Sequence, residues 1–194
     1  MMDERMETLR LCLRHFTPAD TDELHHIYSY PDLFKYMSNE KPIFREQTQA
    51  LIHSLTDNWR YHKFGVWAIV SKQNQKLIGH CGFKFLENSG EIQIGYLLHP
   101  QYWGKGLATE AATAALRYGF EVANFGRIVA IAKPENWASR CIMEKLGMDY
   151  KKDAYYYNTN VVYYSLSREE YQLKGIPLKR KSQKTLPTDL LLTC

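Results

Sequence analysis

Leu97-Leu98-His99-Pro100-Gln101-Tyr102-Trp103-Gly104-Lys105-Gly106-Leu107-Ala108-Thr109-Glu110-Ala111 holds the clearest chemical pattern in the chain. An apolar, strand-like run passes through a turn with two glycines into alanine-rich helical sequence. Glycine lets a backbone take positive φ and approach a ligand closely. The first N–H groups of a helix have no internal partner, and the dipole there favours an anion. Together these features suit a phosphate or pyrophosphate. Ala108, Ala111, Ala112, Ala114 and Ala115 would let the helix lie close to a sheet. The P-loop pattern GxxxxGK[ST] is absent, because Gly106 follows Lys105, and the dinucleotide pattern GxGxxG lacks its third glycine, where Thr109 stands. From the loop alone, a tight turn that merely caps a helix remains an equal reading.

Other side chains offer acid–base chemistry. Glu91 is the only acidic residue between Ser89 and Lys105, and it shares a strand face with Gln93. The tyrosines of Tyr155-Tyr156-Tyr157 and Tyr163-Tyr164 read first as strand packing; Tyr156 or Tyr163 would line a substrate pocket if either has a functional role. The 7 histidines, His25-His26 included, have no ligand-like spacing, so no metal is expected. Cys12, Cys81, Cys141 and Cys194 form no CxxC and no disulfide framework. A reducing, cytoplasmic setting follows as the expectation.

The elements that must position these groups can be read from periodicity and punctuation. Leu9–Arg14 alternates as a half-buried strand. Thr17-Pro18 opens a helix through Leu24, Ile27 and Tyr28. A second helix spans Arg45 to about His62, with Leu51, Ile52, Leu55 and Trp59 on one stripe. Strands over 66–70, 77–86 and 91–98, joined by polar turns, predict an antiparallel meander. A long helix from Gly106 or Leu107 to about Asn124 follows, then a strand over Ile128–Ala132. A short helix begins near Asn136 and ends at Gly147, and two late strands lie near 150–157 and 160–166.

A chain of 194 residues with 45% hydrophobic and 24% charged content is long enough for one domain with a full core. No apolar run nears the roughly 18 residues of a membrane span, and the N-terminus does not read as a signal peptide. The charge is uneven. From Lys174 onward stand Lys174, Lys179, Arg180, Lys181 and Lys184 against Asp189, so the +4 net charge belongs to the tail. The expected division is therefore a domain over 1–173 and a basic C-terminal extension over 174–194. Such tails are mostly solvated, and nucleic acid is not an expected partner, because no reading motif accompanies the charge.

The order strand, two helices, meander, glycine turn, helix, strand, short helix resembles the GNAT N-acetyltransferase family from about residue 8 to 168. Gln101-Tyr102-Trp103-Gly104-Lys105-Gly106 is similar to that family's [RQ]-x-x-G-x-[GA] coenzyme-A motif. The Tyr102-Trp103 pair, Leu107-Ala108-Thr109-Glu110-Ala111, Asn136-Trp137-Ala138-Ser139-Arg140 and Glu144-Lys145-Leu146-Gly147-Met148 look like the ribosomal-protein N-terminal acetyltransferase (RimJ/RimL-like) branch, with Met148 where that branch has Phe.

The resemblance implies a mixed α/β (α+β) fold, with a mostly antiparallel central sheet flanked by helices, and acetyl-CoA as cosubstrate. Main chain at Leu97, Leu98 and His99 would bond the pantetheine and the thioester carbonyl. The turn Gln101, Tyr102, Trp103, Gly104, Lys105, Gly106, Leu107 and Ala108 would take the pyrophosphate, and Asn136 would touch the pantetheine arm. The family's usual strand glutamate falls on Gln93, which cannot be a base, so Glu91 becomes the candidate for the amine's proton; a solvated glutamate at a strand end reads the same. The tyrosine that many relatives place before the Glu-Lys of the short helix is Met143 here. Ser139 then becomes the candidate proton donor to sulfur, though a serine bonding backbone at a helix start would look alike. The expected activity is acetyl transfer to a primary amine. A degenerate module that binds acyl-CoA as a sensor or subunit is the alternative, and a scaffold acting through the tail is the third. The acceptor stays unspecified and a homodimer stays open.

Overall fold

The computed structural model describes residues 5–35 and 43–175. Eight strands form one sheet: β1 (Met6–Glu7), β2 (Leu11–Arg14), β3 (Val66–Ser71), β4 (Leu77–Phe85), β5 (Ile92–Leu98), β6 (Arg127–Ala132), β7 (Asp149–Tyr156) and β8 (Thr159–Ser167), in the order β1-β2-β3-β4-β5-β6-β8-β7. Every neighbouring pair is antiparallel except β5 and β6. That parallel pair needs a crossover, and the helix that follows the glycine turn supplies it. The predicted meander is β3-β4-β5. β5 and β6 share a single pair, Gln93↔Val129, and then part.

The helices are α1 (Thr21–Tyr28), α2 (Pro31–Phe34), α3 (Arg45–His62), α4 (Leu107–Arg117), α5 (Trp137–Lys145) and α6 (Arg168–Lys174). Strand alternation divides the core between the two faces of the sheet. On one, Trp67, Ile69, Ile78, Phe83, Ile94 and Leu98 pack with Ala111, Ala112, Ala115 and Leu116 of α4 and Met143 of α5. The alanines bring α4 close to the strands, as their size predicts. On the other, Ala68 and Leu77 pack with Leu24, Ile27 and Tyr28 of α1 and Ile52 of α3. Trp59, expected on one stripe with Ile52, belongs instead to the first cluster.

Several elements differ from the sequence reading. Pro18–Asp20 forms a 3-10 turn before α1. The long helix stays α-helical only to Arg117 and closes in a π-helical turn over Tyr118–Val122, where Ala123 N–H donates to Tyr118 O at 2.9 Å. β1, α2 and α6 were not anticipated. α6 carries a legible signal: Ser167 Oγ accepts from Glu170 N–H at 3.1 Å, and Glu170 Oε2 accepts from Ser167 N–H at 2.7 Å. Its last residue, Lys174, bonds Asp149 and Gly147 O, which places that lysine in the body, one residue beyond the expected boundary. The rest of the basic extension, 176–194, lies outside the described residues.

One buried ion pair fixes the start of α1. Asp20 is 4% exposed, and Arg14 donates to it in bidentate fashion at 2.8 and 2.7 Å. Burial pushes the Asp20 carboxyl up, but hydrogen bonds from Arg14 and from Thr17 outweigh it and hold the pKa below the usual range. A depressed folded pKa stabilises above the unfolded value of about 3.9 and is lost as pH falls through the folded one. Asp20→Asn should therefore cost about 2 kcal/mol at pH 7, discounted because Arg14 is part-exposed. Urea denaturation at pH 7 and pH 3 checks this: the difference should narrow at the lower pH.

Candidate functional site

The glycine turn begins with its amides already engaged. Gln101 N–H donates to His99 Nδ1 at 3.1 Å, Tyr102 N–H to His99 O at 2.9 Å and Trp103 N–H to Pro100 O at 3.0 Å. Then Gly104 and Gly106 take the left-handed conformation, with φ of 71° and 73°. The first amide to close a bond in α4 is that of Glu110, to Gly106 O at 3.0 Å. The amides of Gly104, Lys105, Gly106, Leu107, Ala108 and Thr109 have no acceptor among the described residues. Six successive donors at a helix N-terminus suit an anion. Of the turn predicted to hold pyrophosphate, its second half is available and its first half is scaffold.

A long-range clamp fixes the cradle. Glu110 accepts from Thr8 Oγ1 at 2.6 Å, Arg10 N–H at 2.8 Å and Arg10 Nε at 2.7 Å. Arg10 Nη1 donates to Lys105 O at 2.9 Å. Burial raises the Glu110 pKa, and these hydrogen bonds more than reverse it. The Tyr102 hydroxyl accepts from Asn74 Nδ2 at 2.9 Å, and a cavity of about 580 Å³ lies beside this turn, lined by Gln73, Asn74, Gln101, Tyr102 and Lys105.

The parting of β5 from β6 opens a main-chain edge below the cradle. Glu91 O accepts from Leu86 N–H, and His99 N–H donates to Ile78 O, so odd-numbered residues of β5 turn their main chain toward β4. Even-numbered residues turn theirs toward β6. Past Gln93↔Val129, the groups facing the split come from Ile94, Tyr96 and Leu98. This corrects the expectation for Leu97 and His99, whose main chain points to β4. Leu98 keeps its assignment, but its carbonyl accepts from the Trp103 indole N–H at 2.7 Å. The sequence reading missed Ile94 and Tyr96, although alternation counted from a known β4 partner would have found them. The His99 imidazole is buried beside Tyr30, His26 and Tyr102, and burial, then His26, lowers its pKa.

The two acid–base candidates lie on opposite faces of β5. Ser139 sits in the first turn of α5, where its N–H donates to Asn136 Oδ1 at 3.0 Å. The Tyr96 hydroxyl is 3.0 Å from Ser139 O and 3.1 Å from Ser139 Oγ. Burial raises the Tyr96 pKa, so the phenol stays protonated. Met143 is buried core. On the other face Tyr163 donates to Glu91 Oε1 at 2.7 Å, and Tyr157 donates to Gln93 Oε1 at 3.2 Å. Burial, then Glu91, raises the Tyr163 pKa. Glu91 borders a cavity of about 500 Å³ lined also by Arg127, Lys151, Lys152, Tyr163 and Ser165. It is thus a half-buried carboxylate at the strand end, held by the Tyr163 hydroxyl. Tyr156 packs near Tyr163 around Val129.

Among the described residues no three His, Cys, Asp or Glu side chains are grouped to hold a metal, and no helix is long and apolar enough to cross a membrane.

Comparison with known proteins agrees with this architecture. Residues 10–149 match the model of the acetyltransferase (GNAT) domain. The chain is 32% identical to the uncharacterized N-acetyltransferase p20 of Bacillus licheniformis, over 87% of this chain and 98% of that one. A GNAT-family acetyltransferase structure from Bacillus anthracis superposes with a TM-score of 0.74 at 28% identity, covering 85% of this chain and 99% of that one. RimL, the ribosomal L7/L12 alpha-N-protein acetyltransferase solved with coenzyme A, has the same fold at a TM-score of 0.74 and 16% identity, over 84% of this chain and 98% of its own. A family model covering most of the chain, together with a relative matched nearly end to end, shows that this protein belongs to the GNAT acetyltransferase family.

Proposed function

We propose that this chain moves an acetyl group from acetyl-CoA to a primary amine by direct attack on the thioester, the amine being a protein N-terminus or a small molecule. The observation that carries this reading is a pair of unpartnered polar tracks. The first track is the free amides of Gly104–Ala108; the second, in the split of β5 from β6, is the main chain of Tyr96 with the carbonyl of Ile94, whose amide is spent on the Gln93↔Val129 pair. A bound pyrophosphate would be held by the first and a pantetheine arm by the second, with the Asn136 side-chain NH2 beside it. Acetyl-CoA supplies an activated acyl group, so the protein's own task is to orient it and to manage protons.

Glu91 is the proposed proton acceptor for the amine, kept in place by the Tyr163 hydroxyl. Strand rise puts its Cα about 13 Å from that of Gly95, where the split opens, so it acts through water. Ser139 Oγ is the proposed donor toward sulfur, and Tyr96 positions that hydroxyl. The proposed setting is the cytoplasm. A second reading, a module that binds acyl-CoA without turnover, draws on Gln93 and Met143 standing where relatives carry acid–base groups.

Thiol release from acetyl-CoA, followed against a panel of peptides and polyamines with mass detection of product, separates the two. Transfer to at least one amine is expected. Ser139→Ala and Tyr96→Phe should each lower kcat about tenfold with CoA affinity unchanged, the scale of one lost catalytic proton contact. Tight CoA binding with no product from any amine would favour the second reading.

A further inference from the structure

Three glycines lie inside the strands of this sheet, and two of them have an evident structural cause. A Cβ on Gly79 would collide with Leu97 O, and one on Gly82 with Gly65 O. Gly95 is different. A Cβ there would meet no atom of the described residues within 4 Å, and its φ is not positive. Among the described residues neither packing nor backbone conformation asks for glycine, which in a strand interior costs stability relative to a residue with a side chain. A strand glycine without such a cause marks a place where something else approaches the backbone closely.

Its position says what approaches. Gly95 follows the last β5–β6 pair by two residues, at the opening of the split. Its missing side chain would project from the same face as Glu91, Gln93 and Leu97, away from α4. Glu91, Gln93 and Gly95 therefore form one row on one face, running from the held carboxylate to the open space. The cradle and Ser139 stand on the other side of the strand. We infer that Gly95 is the specificity-determining floor of the acceptor site: the space above it receives the transferred acyl group and the amine carbon joined to it, while CoA up to its sulfur does not use it. This rests on the acetyl-transfer reading above.

The test is equilibrium binding, independent of turnover. Calorimetry compares the wild type, Gly95→Ala and Gly95→Val with two probes, CoA and a stable CoA thioether bearing an N-butylacetamide arm (CoA–S–CH2–CO–NH–C4H9), which carries acyl and acceptor carbons past the sulfur. CoA affinity should stay within about threefold in all three proteins, a change of no more than about 0.7 kcal/mol. The wild type should bind the thioether at least about tenfold more tightly than CoA, Gly95→Val should lose that advantage, and Gly95→Ala should fall between. Melting temperatures of both variants should equal or exceed that of the wild type, since a strand glycine is being replaced. A thioether advantage retained in Gly95→Val, or CoA affinity lost along with it, overturns the inference. So does a wild type that binds both probes equally, a result that leaves CoA binding itself standing. Failure of the wild type to bind CoA would sink the transferase reading and this inference with it.

Discussion

Gly104→Val and Gly106→Val, alone or together, are expected to reduce CoA affinity by more than about 100-fold while leaving the fold intact. Both residues hold φ near +70°, at 71° and 73°, a region that costs a side chain with a Cβ about 1–2 kcal/mol and a β-branched one more. The turn relieves that strain by rotating its peptides, and the amides of Gly104–Ala108 then no longer converge. Hydrogen bonds to a charged partner contribute about 1.5–3 kcal/mol each, so losing two or three exceeds the 2.7 kcal/mol that corresponds to 100-fold. The damage is local. A Cβ on Gly104 meets no described atom within 4 Å, and one on Gly106 comes no nearer than 3.7 Å to Arg10 Nη2. Wild-type protein should gain thermal stability with millimolar CoA by mass action, and the variants should not. Their melting temperatures without ligand should stay within a few degrees of wild type. A variant that binds CoA normally would remove the cradle from the mechanism.

Glu91→Gln should lower kcat on the order of 10²-fold, the scale of a positioned acid–base group, with CoA affinity near wild type. The substitution keeps the size of the side chain and its acceptor oxygen for the Tyr163 hydroxyl, so the site's shape is preserved. What it removes is a place for the amine's proton. A lysine-type amine has a pKa of about 10.4 and an α-amino group about 7.7–8.0, so the neutral fraction grows with pH. The deficit should shrink as pH rises, and sooner for an α-amino acceptor than for a polyamine. A pH–rate profile on a verified acceptor decides the matter. Wild-type turnover at neutral pH would exclude Glu91.

Much of the scaffold and the cradle was legible because both depend on neighbours in sequence. Alternation marked β3, β4 and β5, helical spacing marked α1 and α3, and glycine punctuation marked the entry to α4. The glycine turn with its unbonded amides is one contiguous segment, so residue types in order were enough to propose it as an anion site. The same short range explains a miss that need not have occurred: the Ser167-x-x-Glu170 box announced α6.

Tertiary structure alone decided the rest. Whether Leu97 or Leu98 offers its main chain to the split depends on which partner strand bonds which alternate residue, and a slip of one position would reverse the answer. The Arg10–Glu110 clamp, the Tyr163–Glu91 bond and the Tyr96–Ser139 contact join residues 100, 72 and 43 positions apart. No local pattern encodes such pairs, because helix and strand periodicities say which face a side chain takes and not what will be packed against it. Gly95 illustrates the division. Its identity was plain in the sequence, but that a Cβ there would meet no described atom within 4 Å, beside the split of β5 from β6, is visible only in the folded chain.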